Sequence, residues 1–251
     1  MIYVGNKECT YFDIIDFAVT YPTLQNEHWT MNFRLEALLN NRVIGFSDWF
    51  NKLSCRERSK VICKIFESKY PDKSIKFLHR YGYACCLFPF LGDMFNIAQD
   101  KTRSKNLYDH VFRALKFVSE LVDDKWIRLA TFLHDIGKID GTKNHEYRGS
   151  KEALSLMKGF GFSDNQSRYV SKLILYHHLP HNFQRKSNWS DRSVSKFVNT
   201  VGGHNLAFDL CWVAVADKMS SQGPNTKYIN PYFELMSEIA NSCKIHTRKV
   251  L

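Results

Sequence analysis

The apolar positions Ile127, Leu129, Ala130, Phe132 and Leu133 run straight into an adjacent histidine and aspartate, His134-Asp135, and then Ile136-Gly137-Lys138. This constrains the fold more than any other feature of the chain. A carboxylate at the buried end of an apolar helix costs on the order of several kcal/mol unless it is paired. Other segments must therefore bring polar partners to it. Three of them have the helical phase to do so. His110 lies one turn from Leu107 and Ala114 in a helix whose apolar positions also include Val111, Leu115, Phe117, Val118 and Leu121; His177 follows Val170, Leu173 and Ile174; Asp217 follows Leu210, Val213 and Ala214. A single histidine on an apolar face is usually a hydrogen-bonded core residue. Four such segments with one contiguous His-Asp are better explained by a shared divalent cation, which satisfies them together.

The remaining pattern is helical. Residues 10–20 and 31–40 have helical apolar spacing, and Ser54 to Ser68 places Val61, Ile62, Ile65 and Phe66 on one side. Pro89 discourages a helix through Phe88-Pro89-Phe90. Arg42 to Phe46 reads as one short extended piece, Gly137 as the stop of the helix before it, and Asn182 to Ser193 as a polar loop. No repeat or low-complexity stretch appears. The expectation is an all-α protein with three parts: an N-terminal segment over 1–50, a helical region over 51–100 and a metal-binding helical domain over 101–251.

With 251 residues, 44% of them hydrophobic and 14% aromatic, the chain is long enough to bury a substantial core. The absence of a leader pattern at Met1-Ile2-Tyr3 and of any 18-residue apolar run predicts a cytoplasmic protein with no membrane partner. Seven cysteines without CxxC spacing argue against disulfides or a zinc knuckle and predict buried thiols. Charge is uneven, with 12 Lys/Arg against 11 Asp/Glu in residues 1–100 and 23 against 14 thereafter. A basic field around the chemistry-bearing half attracts anions such as phosphate esters and nucleic acid.

The ordered set His110, His134-Asp135 and Asp217 resembles the HD superfamily of metal-dependent phosphohydrolases, which are all-helical and bind metal through the His-Asp doublet. His145, opening His-x-x-x-Gly with Gly149, and the pair His177-His178 look like the extra ligands of members that hold two metals. A further resemblance is to bacterial CCA-adding tRNA nucleotidyltransferases. Arg56-Glu57-Arg58, Ile75-Lys76-Phe77-Leu78 and Leu87-Phe88-Pro89 are similar to their helical body, and Tyr108-Asp109-His110-Val111, His145-Glu146, Tyr176-His177-His178 and Ala216-Asp217 to their appended HD domain. Their catalytic head needs an Asp-x-Asp pair, whereas the first fifty residues offer Asp13 and Asp16, three apart. Nucleotide addition is therefore not expected, and Glu27 to Leu39 would be at most a remnant of that head.

The resemblance implies one or two divalent ions, with manganese, nickel, magnesium, iron and zinc all open. His110, His134, Asp135 and Asp217 would hold the first; His145, His177 and His178 would hold the second, and Asp135 would bridge. Asp135 and Lys138 are the candidate catalytic residues. Lys138 stands one turn beyond Asp135, where it either contacts a phosphate oxygen or serves as a cation near a helix C-terminus. Arg103, Lys105, Lys143 and Arg148 are candidate substrate contacts. The implied reaction is phosphodiester or phosphomonoester hydrolysis on nucleotides or RNA ends, such as 2′,3′-cyclic phosphates. The alternatives are a small-nucleotide phosphatase, a cyclic-nucleotide phosphodiesterase, and an RNA-binding module with a structural metal.

Overall fold

The computed structural model describes residues 2–4, 7–24, 43–99, 103–183 and 190–249. The chain is all-α, with 13 helices among the described residues. The one departure is a small antiparallel hairpin of β1 (Ile2–Val4) and β2 (Lys7–Cys9), which the sequence reading did not foresee. Then come α1 (Tyr11–Leu24), α2 (Val43–Lys52), α3 (Cys55–Glu67), α4 (Pro71–Arg80) and α5 (Tyr83–Leu87). After two 3-10 turns at Pro89–Leu91 and Asp93–Asn96 follow α6 (Leu107–Leu121) and α7 (Lys125–Leu133). A third 3-10 turn, Ile136–Lys138, leads to α8 (His145–Gly159), α9 (Asp164–Tyr176), α10 (Leu179–Phe183), α11 (Asp191–Val201), α12 (His204–Gln222) and α13 (Thr226–Lys249).

Local chemistry sets most of these boundaries. Ser54 and Ser163 open α3 and α9 with reciprocal capping boxes to Glu57 and Gln166. Asn106 caps α6 by accepting from the Asp109 N–H, and Asp124 caps α7 by accepting from Trp126 and Ile127. Most of the stripes expected from periodicity are buried: Val61, Ile62, Ile65 and Phe66 on α3, and Leu107, Val111, Ala114, Leu115 and Val118 on α6, whereas Phe117 is half-buried and Leu121, at the end of α6, is exposed. One apolar core continues from Ile14 on α1 to Ile239 on α13. No helix among the described residues is long and apolar enough to cross a membrane.

Several local expectations need correction. Val43 to Phe46 begins α2 instead of forming an extended piece, because Phe46 and Phe50 fall on one helical face and both are buried. Asn182 and Phe183 belong to α10, and Asp191 to Ser193 to α11, so the polar loop is shorter than read. Of the described cysteines only Cys211 is buried, while Cys55, Cys85 and Cys243 are exposed. The expected helix over 31–40 and the segment Glu27 to Leu39 lie outside the described residues.

Gly137 does not stop α7, which ends at Leu133. It lets two backbones cross. A Cβ on Gly137 would lie 2.1 Å from the His145 carbonyl oxygen and 2.5 Å from the Gly149 nitrogen, so the turn after the doublet can lie on α8 only as glycine.

Arg128 ties the first helices to those that carry the doublet. It is 4% exposed, and its guanidinium donates to the carbonyls of Phe66 and Ser68 at the end of α3 and of Ser119 and Val122 at the end of α6. Asp123 pairs with it at 3.1 Å.

Candidate metal centre

Ends or faces of five helices aim side chains at one point. His110 comes from the buried face of α6, His134 caps the end of α7, and Asp135 begins the tighter 3-10 turn that follows. His145 is the first residue of α8, His177 follows the end of α9, and Asp217 lies in the last turns of α12. His110, His134, Asp135, His145 and His177 are all buried, whereas Asp217 is 16% exposed at its side chain.

The ligand atoms sort into two groups. His110, His134 and Asp217 form one, and Asp135, His145, His177 and His178 the other, with the candidate atoms of each group within 4.8 Å of one another. Asp135 reaches both. Its Oδ2 lies 3.5 Å from His110 Nε2 and 3.4 Å from His134 Nε2, while its Oδ1 lies 3.2 Å from His145 Nε2 and 3.7 Å from His177 Nε2.

The imidazoles are oriented from behind. A carbonyl oxygen can only accept, so the Nδ1–H donates in each of three contacts: His134 to Thr131 O at 2.7 Å, His145 to Thr142 O at 2.8 Å and His177 to Ile174 O at 2.6 Å. Ser220 Oγ donates to the His110 carbonyl at 2.7 Å and receives the His110 Nδ1–H at 3.1 Å. In its neutral form each of these rings presents an Nε2 lone pair to the centre, the arrangement by which outer contacts prepare histidine for a cation. Three buried atoms there have no hydrogen-bond partner: Asp135 Oδ1, His145 Nε2 and His177 Nε2. Partnerless buried acceptors are costly, and a cation among them removes that cost.

Protonation fits the same occupant. Burial opposes ionisation of Asp135, but His134 and Lys138 beside it hold it well below the usual carboxylate range. Burial likewise resists ionisation of Asp217, and His110 and His181 beside it hold it well below that range. Burial and neighbouring histidines push His177 well below its ordinary value and lower His178. Ionised carboxylates and neutral imidazoles are the forms that ligate. His134 differs: burial lowers it, but Asp135, Asp217 and the Thr131 carbonyl together raise it.

Lys138 places its Nζ 2.5 Å from Asp135 Oδ2. Arg148 donates to the carbonyls of Lys143, Gly137 and Gly141, which braces the loop before α8. Arg103 extends against Gly223 after α12, and Lys105 and Lys143 are exposed. None of the four lines the cleft of about 510 Å³ at the mouth of the centre, whose walls include Glu146, Tyr176, His178, His181, Asn182 and Thr200.

The sequence reading missed three participants. His181 Nε2 contacts Asp217 Oδ2 at 2.9 Å, Tyr232 OH contacts His181 Nδ1 at 2.5 Å, and Ser220 supports His110. His181 could have been found from His177-His178-x-x-His181, which keeps a third imidazole one turn away. Tyr232 and Ser220 leave no such signal.

Residues 107–220 match the family described as HD domain. The match begins at Leu107, so the similarity of residues 51–100 to the body of CCA-adding enzymes gains nothing from it. A doublet at the end of α7, ligands in the HD order and two ligand groups joined by Asp135 agree with that match and support placing this segment in the HD superfamily.

Proposed function

We propose that this protein is a metal-dependent phosphohydrolase acting on nucleotide or RNA-end phosphates, such as 2′,3′-cyclic phosphates. The observation that carries the reading is the convergence of Asp135 Oδ1, His145 Nε2 and His177 Nε2, buried and without a hydrogen-bond partner, on one point. His110, His134 and Asp217 would hold one divalent ion, His145, His177 and His178 a second, and Asp135 both. A structural site closes with four protein ligands, and seven candidates exceed that need. Ions bound there supply Lewis acidity, which polarises a phosphoryl oxygen and lets water attack phosphorus near neutral pH.

The chain's own groups do the rest. Buried imidazoles and carboxylates hold a fixed ligand geometry, and Lys138, beside Asp135, suits an anionic phosphoryl oxygen. The cleft opens beside His178 and His181 and shares Thr200 with a shallow face of α11 that carries Arg192 and Lys196. A small-nucleotide enzyme needs a closed pocket. An open cleft that continues onto a face carrying Arg192 and Lys196 favours the end of a longer phosphodiester chain.

The test is hydrolysis by metal-stripped protein reloaded with manganese, nickel or magnesium. Substrates are mononucleotides, cyclic nucleotides, bis-para-nitrophenyl phosphate and RNA ending in a 2′,3′-cyclic phosphate. Metal-dependent turnover that Asp135→Ala abolishes supports the reading, and RNA should be preferred at low salt, with Lys196→Ala raising KM for RNA alone. Metal-independent RNA binding with no turnover on any substrate would replace the enzyme reading with that of a binding module.

A further inference from the structure

The C-terminal helix α13 lies beyond the matched segment, yet it reaches the metal centre. Tyr232, on its first turns, is 1% exposed and packs with Ala214, Val215 and Met219 of α12. Its hydroxyl meets His181 Nδ1 at 2.5 Å, and His181 Nε2 meets Asp217 Oδ2 at 2.9 Å. The donors follow from the acceptors. An ionised carboxylate only accepts, so His181 donates its Nε2–H to Asp217. In the neutral ring Nδ1 then carries a lone pair, which accepts the hydrogen bond donated by the Tyr232 hydroxyl. The chain of contacts therefore runs one way, from Tyr232 through His181 to Asp217.

Its effect is to divide the two oxygens of Asp217. Oδ2 is held by His181, and Oδ1 is the oxygen toward His110 Nε2 at 3.1 Å and His134 Nε2 at 3.9 Å. We propose that His181, held by Tyr232 of the C-terminal helix, is a positioning residue that fixes Asp217 as a one-oxygen ligand for the ion shared with His110 and His134. This rests on the two-ion reading above. It makes α13 part of the metal centre, although among the described residues none of α13 stands in either ligand group.

The test is calorimetric titration of manganese into metal-stripped protein, with the step lost in His110→Ala marking the ion in question. In His181→Ala that step weakens about 10- to 100-fold, the range typical of outer contacts to metal ligands, and the other step stays unchanged. His181→Gln recovers most of the loss, because its amide N–H can still reach Asp217, and Tyr232→Phe shows a smaller loss at the same step. Melting in EDTA should leave Tyr232→Phe and His181→Gln close to wild type. Equal affinity at both steps in His181→Ala, or no recovery in His181→Gln, would overturn the proposal while leaving the two-ion reading in place. If His181→Ala does not fold, unchanged affinity in Tyr232→Phe overturns it equally. A wild type that takes up no manganese ends both readings together.

Discussion

Lys138 Nζ lies 2.5 Å from Asp135 Oδ2, three residues along the chain, so the carboxylate that reaches both ligand groups is already paired with an ammonium. A divalent ion entering beside Oδ2 meets that positive charge. Lys138→Met removes the competitor and should tighten manganese binding by a few-fold to about tenfold, while lowering kcat for phosphate esters. Calorimetry and steady-state kinetics on the same preparation check both signs. Weaker binding in the variant would mean that the ammonium supports the site instead of opposing the ion.

Gly137→Ala places a methyl 2.1 Å from the His145 carbonyl oxygen, where backbone and not a flexible side chain must yield. Overpacking of this kind costs on the order of 3 kcal/mol. Because the displaced backbone is that of His145, metal affinity should fall along with the melting temperature. Circular dichroism melts with and without manganese would show it, and a variant as stable as wild type would contradict the crossing described here.

Arg128→Lys removes the fork that serves four carbonyls on two helices. Lysine has three donors on one point and cannot span them, so buried carbonyls are left open at about 1–3 kcal/mol each. A drop in melting temperature of roughly 5–15 °C is expected for a chain of this size. The centre does not use Arg128, and manganese affinity of the folded variant should match wild type. A loss of affinity with stability intact would assign it a different role.

Ion binding should itself stabilise the fold. At a manganese concentration about 100-fold above Kd the gain is about 2.7 kcal/mol per site, reversed by EDTA. Asp135→Ala should show little of that gain, since both groups depend on its oxygens. Differential scanning fluorimetry across a manganese series measures it. An equal shift in the variant would place the stabilising ion elsewhere.

The centre was legible where helical phase exposes it. His110, His177 and Asp217 stand on stripes whose other members are apolar, and such a stripe predicts burial whatever it packs against. Tyr232 and Ser220 look like ordinary helix residues, because their roles depend on which helix lies opposite. The same limit explains Gly137. Its local sequence suggested a helix stop, while its actual constraint comes from α8, a contact made only by the folded chain. The α2 helix was misread because Val43, Ile44 and Phe46 have strong strand preference, which the burial of Phe46 and Phe50 on one helical face overrides.

His134, His145 and His177 each donate to the carbonyl oxygen three residues earlier, on Thr131, Thr142 and Ile174. Main-chain oxygens are supplied by any amino acid. The aim of these three rings is consequently written into the course of the backbone and is indifferent to which side chains occupy those three supporting positions. Substitutions at Thr142, which is exposed, should leave the rings pointing where they do, and the centre can drift in sequence around its ligands without losing its shape.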